Sequence, residues 1–298
     1  MFYNTNVLQY KCSTIENRIL PNPPLTESDL KSLLESTCLR AVRHFEQTDS
    51  TNGQAIKLLA LDSDIETPCL IYAESQTAGR GRGANAWWSQ AGSLTFSVIV
   101  DTREFGLTPE QQIKLPLLTG LAVLQTCREV TQDSPVDCQN DFAVKWPNDV
   151  FLAGRKLAGI LIEVPSTTAD EPNKTPPVHA VIGVGLNVNN SWSDAPDDLL
   201  TTGISLSDHT GSSFNRLKIL EVFLTHLETM MRDLSAGQPV LEGWSTHCLL
   251  SGKRVTLAVG EKEVCGECLG LAPSGALLLK TNQGIQEFIG GIVKSWGS

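Results

Sequence analysis

The sequence predicts an α/β protein of the α+β type, a mixed β-sheet packed with helices and followed by a small C-terminal β-barrel. Three observations carry this. Strand candidates at 70–73, 93–100, 142–144, 157–163 and 178–189 are separated by little helix, which favours antiparallel pairs over a doubly wound parallel sheet. Leu217, Leu220, Phe223, Leu224, Leu227, Met231 and Leu234 recur at helical spacing and predict one long amphipathic helix whose stripe is core. From about residue 250 the pattern becomes short alternating strands, Val255/Leu257/Val259, Leu277/Leu279 and Ile285, broken at Gly260, Ser274-Gly275 and Asn282-Gln283-Gly284. That module, of about 50 residues, is marginal alone and is expected to dock on the main domain. The predicted divisions are an arm and short helix over 1–43, a main domain over 44–248 and the β module over 249–298.

Along the chain, the polar stretch ending in Pro21-Asn22-Pro23-Pro24 resists helix and reads as an arm or linker. Thr26 opens a capping-box start to a helix carrying Leu30, Leu33 and Leu34. Asp49-Ser50-Thr51-Asn52 precede an apolar helical run, so they cap a helix, alone or while its free amides face a ligand. Gly79-Arg80-Gly81-Arg82-Gly83 lies between two strands and combines bare amides with two permanent cations, a combination that suits an anion. Trp87-Trp88 follow it and offer a stacking surface, although one indole can serve as core. Leu117, Leu118, Leu121 and Leu124 predict a helix, and the next strand ends in the turn chemistry of Lys145-Trp146-Pro147-Asn148-Asp149. A turn at Gly154-Arg155 leads to Lys156 at the mouth of a buried strand, and Pro176-Pro177 close a polar loop before the last large strand.

Composition narrows the function classes. With 298 residues, 41% hydrophobic and 19% charged, the chain is an ordinary globular one, and its net charge of -10 opposes bulk binding to nucleic acid or anionic membrane. It has no run approaching the ~18 apolar residues of a membrane span, and no secretory or transit signal, so a cytoplasmic protein is expected. Eight scattered cysteines fit free thiols. In Cys265-Gly266-Glu267-Cys268, residues three apart on a strand point to opposite faces, which disfavours a metal pair.

Lys145 and Lys156 stand at strand edges in apolar surroundings, where an anionic ligand, or snorkelling to solvent, would satisfy them. Asp149 either caps its turn or shares Mg²⁺ with a ligand's phosphates. There is no Gly-x-Ser-x-Gly, no histidine in catalytic spacing and no P-loop. The inventory favours electrostatic stabilisation of phosphoryl or nucleotidyl transfer.

Five segments in order, Ser50-Thr51-Asn52, Gln76 with Gly79–Gly83 and Trp87, Lys145–Asp149, Lys156–Leu161 and Gly183–Asn189, resemble the biotin–protein ligases, or holocarboxylase synthetases. The resemblance spans about residues 44–298 and implies a class II aminoacyl-tRNA synthetase-like catalytic domain with an SH3-like C-terminal barrel. It implies that biotin and MgATP give biotinyl-5'-AMP, which a lysine of a carboxylase's biotin carboxyl-carrier domain then attacks. In the family's manner, Ser50, Thr51, Asn52, Gln76, Arg80, Gly81, Arg82, Lys156 and Gly159 would hold biotin. Gly79, Arg80, Arg82, Trp87, Lys145, Asn148 and Asn187 would hold ATP or the adenylate, Asp149 the metal, and Lys156, Arg82 and Asp149 would carry the chemistry. Two departures stand out: Ala84-Asn85 replace the Gly-Arg of many bacterial members, straining Ala84 if that position needs positive φ, and the first 43 residues do not resemble a DNA-binding helix-turn-helix domain. A monofunctional ligase is therefore expected. A lipoate or octanoate ligase/transferase, a biotinyl-AMP-responsive repressor and a silent biotin-binding subunit are the alternatives, and a homodimer is one option for the assembly.

Overall fold

The computed structural model describes residues 23–61, 64–165, 179–197 and 199–297. The expectations for most of the N-terminal arm, for the Pro176-Pro177 loop and for Val178 lie outside these residues. Helix α1 (Glu27–Ser36) starts in the expected capping box, with Thr26 accepting from the Asp29 amide; Leu30 and Leu33 are buried, but Leu34 points outward. Edge strand β1 (Ala41–Thr48) has no clean alternation, and the sequence did not announce it. It leads through α2 (Thr51–Leu61) to β2 (Cys69–Gln76), and β1 and β2 pair in parallel, as a crossover helix requires.

The remaining strands of this sheet are β3 (Leu94–Asp101), β4 (Phe142–Lys145), β5 (Asp149–Leu152), β6 (Arg155–Glu163) and β7 (His179–Leu186). They complete the order β1-β2-β3-β7-β6-β5-β4, and every pair after the first is antiparallel. The sheet is covered on both faces, so its middle strands β3 and β7 are buried at every position. The period of two sorts β2: Cys69 and Ile71 face α2 with Ala55, while Leu70 and Tyr72 face the larger core. That core lies under α4 (Leu115–Val130), which follows the short α3 (Pro109–Gln112), and under α6 (Arg216–Ser235), which follows α5 (Leu206–Thr210). The stripe on α6 is buried as its spacing predicts, with Leu217 only partly covered. Among the described residues no helix is long and apolar enough to cross a membrane.

At the start of α6 lies a buried polar hub. Arg216, 4% exposed, donates to Tyr72 Oη at 3.0 Å, Glu74 Oε2 at 2.9 Å, the Ser93 carbonyl at 3.2 Å and the Pro23 carbonyl at 2.7 Å. One guanidinium thus ties the segment before α1, the sheet and α6 together.

Helix α7 (Glu242–His247) anchors Trp244, whose indole donates to the Leu117 carbonyl at 2.8 Å. Strands β8 (Arg254–Val259), β9 (Lys262–Leu271), β10 (Leu277–Thr281), β11 (Gly284–Phe288) and β12 (Ile292–Gly297) then form a five-stranded antiparallel sheet, ordered β11-β10-β9-β8-β12. Its buried Val255, Leu257, Leu277 and Leu279 join the same apolar cluster as α4 and the large sheet. Buried Trp146 stitches the junction, donating to the Gly275 carbonyl at 3.2 Å. Cys265 is exposed and Cys268 buried, as the strand parity requires, and Cys268 pairs with Cys248, whose thiol its hydrogen bond pushes down.

Two turns depart from the sequence reading. Ala84 is not in the left-handed region; Gly83 takes that conformation, with φ 67°, so the strain expected at Ala84 is absent. The strained alanine is Ala153, at φ 48° beside Gly154 at 75°, in the two-residue β5–β6 turn. Asn tolerates this backbone better than Ala, so exposed Ala153→Asn is expected to stabilise the fold by about 0.5–1 kcal/mol in urea titration. A loss of stability would contradict the turn's strain.

Candidate active site

A cavity of about 390 Å³, within the range of small-molecule sites, is bounded by the start of α2, the loop after β2, the β4–β5 hairpin, β6, β7 and the β11–β12 connection. Its polar end is built by α2. Ser50 stands before the helix and accepts from the Gly53 amide at 3.4 Å. The Thr51 amide donates to Gln76 Oε1 at 2.7 Å, and Ser97 Oγ lies 2.8 Å from Thr51 Oγ1 and 2.6 Å from Asn52 Oδ1. Asn52 Nδ2 donates to Glu163 Oε2 at 2.8 Å and to the Leu161 carbonyl at 3.2 Å. All three residues from 50 to 52 are at most 5% exposed yet line the cavity, a rigid set of small polar groups.

Glycines in β7 let these groups in. A Cβ at Gly183 would lie 2.2 Å from Asn52 Oδ1, and one at Gly185 would lie 2.2 Å from the Trp87 indole. Each therefore reserves a place for a neighbouring side chain. At Gly159, a Cβ would press on Lys156 Nζ at 3.3 Å.

The loop after β2 has a defined backbone. It folds as a small hairpin: Arg80 and Ala86 are bridged, the Gly81 amide donates to the Asn85 carbonyl at 2.7 Å, and the Trp87 amide donates to the Gly79 carbonyl at 2.9 Å. Within residues 79–83 this closure takes up the Gly81 amide, and the loop also presents two guanidinium groups. Arg80 pairs with Glu163, while half-buried Arg82 donates to the Gly291 carbonyl of the C-terminal sheet. Burial pushes the pKa of Arg82 down, against the attraction of Asp149.

The opposite wall is the β4–β5 hairpin, where Lys145 and Asp149 are register partners. Asp149 Oδ1 takes the Lys156 ammonium at 2.6 Å, and Lys145 Nζ stands 3.9 Å from Oδ2. Burial lowers the pKa of Lys145, again against Asp149. Lys145, Lys156 and Arg82 thus surround a single carboxylate, a local excess of positive charge in a chain of net charge -10. Asn148 donates to the Ile160 carbonyl at 2.6 Å, which fixes its amide at the wall.

The cavity brings together Ser50, Thr51, Asn52, Gln76, Arg80 and Gly81 with Arg82, Trp87, Lys145, Asn148, Asp149, Lys156 and Gly159. Gly79 and Asn187 do not line it. At Gly79 a Cβ would meet the Trp87 carbonyl at 2.5 Å, so this glycine serves the hairpin's closure. Asn187 is 1% exposed, with Oδ1 accepting from Asn190 at 3.2 Å and Nδ2 without a partner. The Trp87 indole N–H is likewise buried and unpaired, and such orphan donors call for an acceptor. The sequence reading missed Ser97 and Glu163, which orient Asn52 and Arg80, and the wall formed by Gly291, Ile292 and Val293. The glycines of β7 were a readable signal, but the 291–293 wall had none because it comes from another sheet. A second cavity, of about 330 Å³, adjoins the first, with Arg82, Pro147 and Asn148 in the shared wall.

Comparison with known proteins agrees with this geometry. Residues 44–187 match the Biotin/lipoate A/B protein ligase family, and residues 250–294 match the Biotin protein ligase C terminal domain. The chain is 30% identical over 273 residues to the bifunctional ligase/repressor BirA of Bacillus subtilis, covering 91% of this chain and 79% of that protein. It is 31% identical over 261 residues to the biotin-acetyl-CoA-carboxylase ligase of Mycobacterium tuberculosis, covering 86% and 90%. Among solved structures, the biotin protein ligase of Aquifex aeolicus in complex with biotin and ATP superposes with a TM-score of 0.70 at 26% identity, covering 87% of this chain and 99% of that one.

Proposed function

This chain belongs to the biotin protein ligases, and from that premise we propose that the 390 Å³ cavity carries both half-reactions of ATP-dependent biotin ligation. In the first, the biotin carboxylate attacks the α-phosphorus of ATP and pyrophosphate leaves. In the second, a lysine amine attacks the acyl carbonyl of biotinyl-5'-AMP, an amide forms and AMP leaves. The observation that supports this best is the juxtaposition of three cations around Asp149 with the buried polar start of α2. A neutral, hydrogen-bonding head group suits the polar end, and an acyl-phosphate junction suits the cationic end.

In this reading Ser50, Thr51, Asn52 and Gln76 hold the head group, and Gly81 and Gly159 contribute to the wall of the same cavity. Lys156 contacts the carboxyl/phosphoryl junction, and Arg80, Arg82 and Lys145 neutralise charge that builds on the phosphates. Trp87 and Asn148 border the nucleotide, whereas Asn187, buried and outside the cavity lining, does not reach it in this arrangement. ATP enters as its magnesium complex. Asp149, which pairs with Lys156 in this structure, would be the carboxylate that meets the ion, and the ion would supply further neutralisation of phosphate charge. Residues 44–248 supply the catalytic domain and 249–298 close it.

The acceptor is the biotin carboxyl-carrier domain of a carboxylase, and the reaction takes place in the cytoplasm. A lipoate or octanoate activity is not favoured, since the named relatives and neighbours are biotin ligases. The repressor half of one relative's name carries no proposal, because a net charge of -10 opposes binding to DNA.

Incubation with a carrier domain, biotin and MgATP tests the function. Intact mass should show one added biotinyl group per carrier, dependent on both small substrates, and an unmodified carrier would sink the assignment. Arg82 stands in the wall between the two cavities, so Arg82→Gly is expected to speed escape of the adenylate by roughly ten- to a hundredfold, the worth of a charged hydrogen bond. Biotin on bystander lysines reports the leak, and an unchanged off-rate of the intermediate would contradict this role.

A further inference from the structure

We propose that Trp296, on the last strand of the C-terminal sheet, is a positioning residue that holds the Lys145 ammonium in the cavity through a cation–π contact. The inference rests on the ligase reading and assigns to the C-terminal sheet one specific part of it, aiming a cation at the triphosphate of ATP.

Lys145 has few other anchors. Its Nζ lies 4.3 Å from the Trp296 ring centroid and 5.6 Å from that of Phe151. The two rings meet edge to face, 6.2 Å apart at 90°, and form an aromatic corner around the ammonium. The nearest carboxylate oxygen, Asp149 Oδ2, is 3.9 Å away, beyond hydrogen-bond reach, and the other oxygen of Asp149 is committed to Lys156 at 2.6 Å. The remaining charged groups that act on Lys145 are Lys156 and Arg82, both of which repel it. A four-carbon stem between two like charges would swing away without a counterweight. The indole face is the most strongly attracting aromatic surface for a cation, and this one holds a side chain only 13% exposed, where such contacts are strongest.

The backbone of β12 is shaped to deliver that ring. Val293 and Trp296 are three apart and would face opposite sides of a regular strand, yet both pack against the main core. A β-bulge between Val293 and Ser295, opposite β8, inserts the extra residue that turns Trp296 back to the side of Val293. Ile292 and Val293, just before the bulge, already line the cavity. The fold thus spends an irregularity to aim a side chain at Lys145, and the contact crosses from one sheet to the other.

The test compares full-length Trp296→Leu, Trp296→Phe and Lys145→Met with the parent protein. Trp296→Leu keeps apolar bulk and loses the π face, so KM for ATP in biotin-dependent pyrophosphate release should rise about tenfold. The affinity for biotin alone, read by calorimetry, should not move. Trp296→Phe should recover most of the loss. In a Lys145→Met background, Trp296→Leu should add nothing, because the group it positions is gone. Additive effects in that cycle, equal losses in the Leu and Phe variants, or weakened biotin binding in Trp296→Leu would overturn the proposal and reduce Trp296 to packing. Parent protein that releases no pyrophosphate with biotin and ATP would instead overturn the ligase reading, and the proposal with it.

Discussion

Lys156→Ala should slow biotin-dependent pyrophosphate release by about 10²–10³-fold while the protein keeps its fold, the scale expected for removing one preorganised donor to a developing charge. Lys156 stands at the mouth of β6, 38% exposed, with its ammonium 2.6 Å from Asp149 Oδ1. Its exposure means that truncation opens little core. Asp149 keeps Lys145 and Arg82 nearby, so no carboxylate is stranded. Thermal unfolding should therefore shift by no more than a few degrees. Near-normal turnover in the variant would remove Lys156 from the chemistry, and collapse of the fold would show that its pairing with Asp149 is structural.

Arg216→Met should cost about 3–5 kcal/mol of stability, the usual result when one member of a buried charge pair is removed and the other is left behind. Here the stranded groups would be Glu74, whose side chain is 17% exposed, together with the carbonyls of Ser93 and Pro23. Leu25 and Tyr72 also donate to Glu74, so the lost charge disturbs a shared network. Urea unfolding measures the loss, and pairing Arg216→Met with Glu74→Gln should recover part of it by removing the stranded charge. A loss below about 1 kcal/mol would mean that the hub is not a buried pair in effect.

Much of the candidate site was legible because its parts are local. Ser50, Thr51 and Asn52 announce a helix start, Lys145 to Asp149 a turn, and Lys156 a strand mouth, and neighbouring residues alone dictate each of these. The stripe on α6 and the turns of the C-terminal sheet were readable for the same reason, as periodicity and turn chemistry need no distant partner. The hairpin from Gly79 to Trp87 was not, since a glycine-rich stretch permits many backbones and distant contacts, such as the Trp87 indole against Gly185, help to select one. Edge strand β1 was missed because its outward residues are charged and its inward ones few. Glu163 and Ser97 gave no signal at all, for their partners Arg80, Asn52 and Thr51 lie dozens of residues away.

The chain's local chemistry determined where a small anionic ligand could be gripped, which residues carry charge and that two β-rich parts follow one another. Tertiary structure alone decided that three cations converge on one carboxylate, that Arg82 reaches Gly291 and that Trp296 faces Lys145. The division has a simple cause. Propensity and periodicity act between residues a few positions apart, whereas the charge balance of a cavity is set by side chains that only the packing of two sheets brings within a few ångströms of each other.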